Sequence, residues 1–341
     1  MEQKIGAQGF PGPRSTSRVP GFQKSERSKI LKPLSTPYNR ALHWFALWVA
    51  FATFLLIVAG ALVTSNDAGL SVPDWPTSFG SLYRMPPMVG GVQFEHGHRM
   101  IAEFIGLLTV ILAFWTWRAE RRQWMRKLAL SALVLVIVQG VFGGITVLTA
   151  LPPAVSSAHA ALGQAFFCLA VAIGLFTGRR WMDEEPHTEF DPRRPTLPAL
   201  AWFSVAAIYV QLILGAMFRH HGMKLLPHLV MAGVVAVIVV WAVARTLAGY
   251  AQVAALRRPA TALLALLLAQ LTLGFLAYMT RIVWNPNASQ PSAVMVASTV
   301  AHVSVGALLL ASAVVLAIQS SRRVPVAQLG RAPRSGRAVT A

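Results

Sequence analysis

The chain has 341 residues, of which 55% are hydrophobic and only 12% are charged, and its formal net charge is +18. Soluble domains carry about 25% charged residues, so this composition excludes an ordinary soluble protein and indicates a polytopic membrane protein. An excess of basic residues would indicate nucleic-acid binding only if these residues formed one surface patch. Whether they form such a patch follows from where they lie along the chain.

The two ends of the chain are predicted to be tails. Residues 1–40 contain Pro, Gly, Ser and scattered basic residues without the apolar core of about 7–15 residues that a secretory signal needs. We expect a flexible, basic cytoplasmic tail there, with a mitochondrial presequence as the minority interpretation. Residues 320–341 are predicted to be a disordered basic tail.

Between the tails lie eight mostly apolar stretches of about 20 residues, each long enough to cross a hydrocarbon core of about 30 Å. The predicted fold is therefore all-α and integral to the membrane. The stretches are Ala41–Ser65, His96–Trp117, Lys127–Thr149, Ser156–Gly178, Leu197–Arg219, Leu226–Ala244, Ala260–Arg281 and Ala297–Gln319.

Every second segment between the predicted helices is rich in basic residues. The basic residues are concentrated in both tails and in these links, whereas the opposite links contain few, mainly Arg84, Arg219, Lys224 and Arg281. The positive-inside rule then places both termini in the cytoplasm. The positive charge thus reflects topology, and we expect a lipid membrane rather than nucleic acid as the partner.

An internal repeat divides the chain into four helix–loop–helix units. Gln139, Gln211 and Gln270 are each followed four residues later by glycine, in the outer halves of the third, fifth and seventh stretches; the first stretch has Leu56 and Gly60 instead. The next stretch in each unit carries a histidine near its outer end. The repeat predicts two pseudo-symmetric four-helix bundles, 41–178 and 197–319, joined by a charged cytoplasmic linker, 179–196.

The four repeated histidines are His98, His159, His228 and His302, and the topology places them at one depth. Cofactor sites in bundles use inward side chains of facing helices, and imidazole is an axial ligand of haem iron. Zinc would require a third or fourth ligand, and the single cysteine, Cys168, is expected to be a buried, inert thiol. We therefore predict two haem sites, formed by the first and the second pair of histidines.

Acidic residues distinguish the first half from the second. Glu95 precedes His98 by three residues and Glu103 follows it by five, and the later repeats have no acid at these positions. Glu95, His98 and Arg99 share one helix face, and Arg99 can also reach Glu103, so the charges are paired as intramembrane groups require. We interpret Glu95 as functional, because it lies one turn from a predicted iron ligand and the second half has no counterpart; an ion pair that merely caps the helix is the alternative for Arg99 with Glu103.

These motifs resemble those of the haem A synthases, membrane enzymes that oxidise haem O to haem A for cytochrome oxidase assembly. The resemblance covers about residues 40–319 and is carried by GALVTSNDAGLSVPDWPTSFG, by EHGHR and by the later histidines. It implies haem b bound by His228 and His302. It also implies that the substrate haem O is bound by His98 and His159, and that Glu95 is needed for turnover.

The same resemblance implies the chemistry and the partners. A methyl group of haem O would become a formyl group by two O₂-dependent hydroxylations and loss of water, with haem O synthase and an electron donor as partners. A homo-oligomer stays open. The bacterial plasma membrane is the expected location, with the mitochondrial inner membrane as the minority alternative. One branch of the family carries cysteine pairs in its outer loops; this chain has none there, so its electrons must be delivered without them.

The outer segment NDAGLSVPDWPTSFG contains Pro and Gly at a density that argues against helix. We expect it to shield the N-terminal haem, with Asp74 and Trp75 near the substrate; an interfacial aromatic belt is the alternative. His96 is interpreted as a boundary residue, and His220 and His221 as solvated.

Two other functional classes stay open at this point. A cytochrome b-type electron-transfer or quinol-oxidising subunit would also place histidine pairs in bundles, but it would hold haem in both halves and release no modified haem. A transporter built from repeats would explain the duplication and the intramembrane charges, but it would bind no haem.

Overall fold

The computed structural model describes residues 37–82, 84–183, 191, 193–284 and 290–324. In these residues the structure is helical, with eight helices long and apolar enough to cross a membrane, which confirms the predicted fold class. In chain order the helices are α1 (Arg40–Ser65), α2 (Gly91–Ala119), α3 (Gln123–Leu148), α4 (Pro153–Thr177), α5 (Arg179–Asp183), α6 (Leu197–Arg219), α7 (Leu226–Tyr250), α8 (Ala254–Tyr278, extended by a π-helical turn, Met279–Val283) and α9 (Ala293–Arg323).

Several helices run beyond their predicted ends. α2 begins at Gly91, before the predicted start at His96, and α9 continues to Arg323, into the predicted tail. Hydropathy marks only the apolar part of a helix, whereas backbone hydrogen bonds continue through polar residues at its ends. The short α5 lies in the charged linker, where no helix was expected. Most of both predicted tails lies outside the described residues.

The helix starts follow ordinary capping chemistry. The side chain of Asn39 accepts a hydrogen bond from the backbone N–H of Leu42 at 3.0 Å, and Ser292 accepts one from Met295 at 3.3 Å. Both caps satisfy a donor that the first helical turn leaves without a backbone partner. α4 begins at a proline, which lacks the N–H that would otherwise be unpaired at this position.

The helices pack as two four-helix groups. α1 to α4 contact one another around a core that includes Val49, Ile105 and Ile173, and α6 to α9 surround a second core that includes Val239 and Leu263. The two groups meet through α1, α4, α6 and α9. This arrangement leaves α2, α3, α7 and α8 at the periphery, where many large apolar side chains are exposed, as a lipid-facing surface requires.

Hydrogen bonds join the two groups at the histidine level. The hydroxyl of Tyr209 on α6 donates to the carbonyl of Ala161 on α4 at 3.1 Å. Thr299 on α9 donates to Ser65 at the end of α1 at 2.8 Å. A cluster containing Phe167 and Ala307 packs between the same helices. The groups therefore form a packed interface next to both histidine pairs.

The linker is held to the inner end of the second group by Asp191, whose side chain is buried. It accepts a hydrogen bond from the backbone N–H of Leu197 at 3.0 Å and pairs with Arg245 at 2.9 Å and Arg193 at 3.1 Å. Burial by itself raises the pKa of Asp191, but hydrogen bonds from these three groups outweigh it and hold the pKa below its usual value. The linker is thus fixed by an ionised carboxylate.

Candidate functional site

Each of the four repeated histidines lies against a glycine of the preceding helix. The pairs are Gly60–His98, Gly143–His159, Gly215–His228 and Gly274–His302. In each pair the imidazole Cε1 lies 2.8–3.1 Å from the position that a Cβ on the glycine would take. A methyl group there would press on the ring, so glycine allows each imidazole to lie against the helix backbone. The structure places these four pairs at equivalent points of the four units.

All four imidazoles turn Nδ1 toward the backbone of the preceding helix. The Nδ1 atoms of His98, His159 and His302 are buried there, near the backbone carbonyl groups of Leu56, Gln139 and Gln270, without a hydrogen bond of ordinary geometry to any described residue. The Nδ1 of His228 lies 3.2 Å from the carbonyl oxygen of Gln211. Nδ1 thus faces helix backbone at all four repeated positions, which leaves Nε2 as the ring nitrogen available to a ligand.

The C-terminal pair has the separation that a shared metal requires. The ring centroids of His228 and His302 lie 6.4 Å apart, with an angle of 79° between the ring planes. Two imidazoles that bind one metal from opposite sides, each through a nitrogen at about 2.0–2.1 Å, place their ring centroids about 6.3 Å apart. Among the described residues no group of three or more His, Cys, Asp or Glu side chains is clustered for a metal. Two ligands on opposed helices therefore fit a haem iron, whose other four ligands come from the macrocycle.

Glutamines of the repeat lie next to the histidines. The side-chain nitrogens of Gln211 and Gln270 each lie 3.3 Å from the Nε2 of His228 and His302, respectively. In the first half, the amide of Gln139 donates instead to the backbone carbonyl of His159 at 2.8 Å. The sequence identified these glutamines as repeat markers but assigned them no role. In the C-terminal pair their amides must turn aside before both Nε2 atoms can bind a metal.

The N-terminal group contains more unpaired polar atoms around its histidines. The hydroxyls of Ser156 and Ser157 and the Oε1 of Gln164, all on α4, are buried without hydrogen-bond partners among the described residues. The corresponding positions of α9, the equivalent helix of the second group, are Thr299, whose hydroxyl is hydrogen-bonded to Ser65 and Met295, and Ala307. The chemical difference between the halves therefore includes α4 as well as the acidic residues of α2.

Glu95 is buried at the outer end of the first group, with 4% of its surface exposed. Its Oε1 accepts a hydrogen bond from Arg99 at 2.7 Å, and its Oε2 accepts one from the backbone N–H of Val72 at 2.8 Å. Arg99 is thus paired with Glu95. Glu103 lies on the exposed face of α2, and the structure does not bring it into this ion pair.

Arg99 also holds the outer segment. Its guanidinium donates to the backbone carbonyls of Val72 at 2.9 Å, Asp74 at 2.7 Å and Thr77 at 3.2 Å. His96, one turn away, lies 3.0 Å from the hydroxyl of Ser78. The charged start of α2 therefore fixes the segment that follows α1, and His96 contacts that segment from the boundary position that we predicted.

Asp74 and Trp75 have different surroundings. The carboxylate of Asp74 accepts hydrogen bonds from the hydroxyl of Thr77 and from the backbone N–H groups of Phe79 and Gly80; these bonds, the first above all, lower its pKa to about 2. Asp74 therefore stabilises its own turn. The indole of Trp75 lies on α3, where a Cβ on Gly144 would come within 2.4 Å of it.

Trp75 is consequently adjacent to the N-terminal histidine site, because it contacts Gly144, and the neighbouring Gly143 contacts His159.

The expectation of a solvated His220 is wrong. This side chain is half-buried, and burial first, with Arg219, His221 and His159 contributing, lowers its pKa to about 4. His221 is exposed, as predicted.

Residues 92–227, which include EHGHR and the first two repeated histidines, His98 and His159, match the family model of a cytochrome oxidase assembly protein, COX15-CtaA. This region, about two fifths of the chain, is similar to the COX15-CtaA family. The finding confirms the resemblance recognised from the sequence motifs.

Proteins named Heme A synthase are similar to the chain. The one from Symbiobacterium thermophilum is 30% identical over 189 residues, which is 54% of this chain and 60% of that protein. Those from Lysinibacillus sphaericus and Alkalihalophilus pseudofirmus are 27% and 25% identical over 190 and 184 residues, or 54% and 53% of this chain and 59% and 61% of those proteins. The aligned part therefore spans about 60% of the length of these curated relatives.

Proposed function

We propose that the protein is a haem A synthase, which oxidises the C8 methyl group of haem O to a formyl group by two successive O₂-dependent hydroxylations. The observation that carries the proposal is the match of the region containing EHGHR to the COX15-CtaA family, with relatives named Heme A synthase. The two histidine pairs supply matching ligand sets for a substrate haem and a resident haem.

In this proposal the halves have different tasks. His98 and His159 bind the substrate haem O, and His228 and His302 bind haem b; the centroid separation of the second pair supports its assignment. Bound iron supplies the oxygen chemistry, which no amino-acid side chain can perform. The chain itself holds the reacting methyl group in place, keeps water out and controls protons.

Glu95 has a defined place in this scheme. Its Oε1 accepts a hydrogen bond from Arg99 and its Oε2 accepts one from the backbone N–H of Val72. A proton carried by Glu95 would weaken these bonds, because a protonated carboxyl group is a poorer acceptor than a carboxylate. Proton transfer at Glu95 and the position of the outer segment are therefore coupled through this carboxyl group.

The outer segment has a shielding role. Its backbone is held by Arg99, and Trp75 covers α3 beside the His159 site. An aromatic cover of this kind excludes water from the reacting edge of a haem, which favours controlled oxidation over side reactions. This placement supports the shielding role over the alternative of an ordinary interfacial aromatic.

The setting of the protein follows from the same proposal. Eight helices that can span a bilayer and relatives from bacteria support a multi-pass protein of the bacterial plasma membrane. The placement of basic residues supports cytoplasmic termini and histidine pairs near the opposite face. Haem O synthase and an electron donor are the proposed partners.

The test is to supply the full chain in membranes with haem O, O₂ and an electron donor, which provides two electrons for each hydroxylation, and to separate the extracted pigments by chromatography. Haem A, or its hydroxymethyl precursor, is the expected product. Haem bound in both halves with haem O unchanged would instead identify a di-haem cytochrome b-type electron carrier. His98→Ala is the matched control, because it removes one proposed substrate ligand without touching the other half.

A further inference from the structure

Two arginines at the outer end of the C-terminal group share one carboxylate. Arg219 ends α6 and Arg281 lies in the π-helical turn after α8. Their Nη2 atoms lie 2.8 Å and 3.9 Å from the same Oδ1 of Asp67. Arg219 also donates to the backbone carbonyl of Thr64. The two guanidinium groups carry two positive charges and the carboxylate carries one negative charge. The three side chains together therefore have a net charge of one positive unit.

The arginine side chains are mostly buried, whereas the carboxylate is not. The exposed fractions are 21% for Arg219 and 24% for Arg281, against 57% for Asp67. A buried surplus charge is costly, so a site of this composition favours a further anionic group. Guanidinium groups suit carboxylates well, because they form two parallel charge-assisted hydrogen bonds.

Both arginines lie directly outward from the histidine–glycine pairs of the same half. Arg219 follows Gly215, the contact of His228, by four residues, or about 6 Å along the helix; Arg281 follows Gly274, the contact of His302, by seven, or about 10 Å. The arginines therefore stand one to two helical turns from the proposed iron ligands, on the outer side.

The first half has no basic residue at the equivalent positions. Four residues after its two glycines stand Thr64 and Val147, and seven residues after them stand Asp67 and Ala150. The arginine pair is consequently a feature of the C-terminal site, not of the repeat. It also accounts for two of the four basic residues that depart from the charge pattern of the outer links.

We propose that Arg219 and Arg281 bind the two propionate carboxylates of the haem held by His228 and His302, and so orient its propionate edge toward the outer face. This inference rests on the proposed haem b site. The distance and direction from the histidines favour haem carboxylates over the phosphate of a lipid headgroup, which would share the same chemistry.

The experiment compares haem with its dimethyl ester, in which both carboxylates are uncharged. Full-length protein produced in haem-deficient cells is titrated with iron protoporphyrin IX or with the ester, and the low-spin spectrum is followed. The parent protein should bind the free acid roughly tenfold or more tightly, as expected for charged hydrogen bonds. Arg219→Gln with Arg281→Gln should remove most of that preference.

A second measurement uses the midpoint potential of the bound haem b. Loss of a positive charge near the haem destabilises the reduced form, so each Arg→Gln variant should have a lower potential, and Arg→Lys should restore part of it. Arg84→Gln is the matched control, because it removes the same charge from an exposed position in the segment after α1. Its potential should equal that of the parent.

Equal affinity of the parent for both pigments would overturn the proposal even if no variant folds. A second outcome would also overturn the proposal: the protein binds haem and its dimethyl ester equally well, and the arginines affect the midpoint potential only in phosphatidylglycerol membranes. That result would assign the site to a lipid phosphate. Absence of any haem b would refute the His228 and His302 assignment together with this inference. If the protein fails to convert haem O but still binds haem more tightly than its dimethyl ester, only the proposed activity is refuted.

Discussion

In the N-terminal half, the segment between α1 and α2 places Trp75 beside the histidine level and is held by Glu95 and Arg99. In the C-terminal half, α6 and α7 are joined by the short segment 220–225. The histidine–glycine pairs are equivalent in the two halves. Duplication thus preserved the contacts that position the imidazoles and changed the surroundings at the outer end. Under the proposed function, the shared part would bind the macrocycles and the altered part would decide whether a bound haem reacts.

The largest expected effect separates the two histidine pairs. His228→Ala combined with His302→Ala should abolish the low-spin haem b spectrum of the purified protein, because both proposed axial ligands are lost. His98→Ala should leave that spectrum intact, since it lies in the other group. Undiminished haem b in the double variant would show that the C-terminal pair does not bind it.

The next prediction concerns the acid that the second half lacks. Glu95→Gln should retain haem O binding but lower turnover by about 10²-fold or more, the usual contribution of a positioned proton-transfer group. His98→Ala should instead weaken haem O binding itself. Haem O titration and the rate of haem A formation distinguish the two defects.

The same variant can distinguish proton transfer from support of the outer segment. If Glu95 mainly holds that segment, Glu95→Gln should increase hydrogen exchange at the Val72 amide, whose N–H it accepts. If Glu95→Gln makes haem A at the parental rate while the Val72 amide exchanges its hydrogen faster, Glu95 has a purely structural role. Protons would then have to come from Glu103 or from water.

A smaller effect tests the histidine–glycine pairs. A Cβ at Gly274 would lie 2.9 Å from the His302 ring, so Gly274→Ala should cost about 1–3 kcal/mol through overpacking and should reduce retained haem b. Gly233→Ala is the matched control, because nothing lies within 4 Å of its added Cβ. Equal haem content and equal thermal stability in both variants would contradict a positioning role for the glycine.

The smallest expected effect concerns the aromatic cover of the first half. Gly144→Ala should displace the Trp75 indole and raise the dissociation constant for haem O severalfold, whereas Gly140→Ala, one turn away on α3 with open space around it, should not. Haem b should be unchanged in both. Trp75→Ala with parental affinity and turnover would favour the simple interfacial role.

Much of this structure was accessible from the sequence, for identifiable reasons. Length and hydropathy specify membrane helices, so all eight were predicted, and the repeat located His98, His159, His228 and His302 on corresponding turns. The spacing of Glu95 and Arg99 allowed their ion pair, because residues four apart on a helix are neighbours.

Contacts between distant parts of the chain were not accessible. Arg99 holds carbonyls 22 to 27 residues away, in a segment without periodicity, and no spacing rule predicts such bonds. The Arg219–Asp67 pair joins positions 152 residues apart. Gly143 and Gly144 were visible as residues, but only the packing shows that one contacts His159 and the other contacts Trp75.

Each histidine pair combines one peripheral and one central helix, and this bears on how a large hydrophobic pigment enters and leaves. His98 lies on α2, and 28% of the apolar 18-residue stretch of this helix is buried within the protein. His159 lies on α4, where the corresponding share is 56%. Displacing α2 breaks fewer contacts than displacing α4, so local opening is cheaper on the lipid side. Under the proposed function, substrate and product would then be exchanged sideways through the bilayer, without crossing the outer end that Trp75 covers.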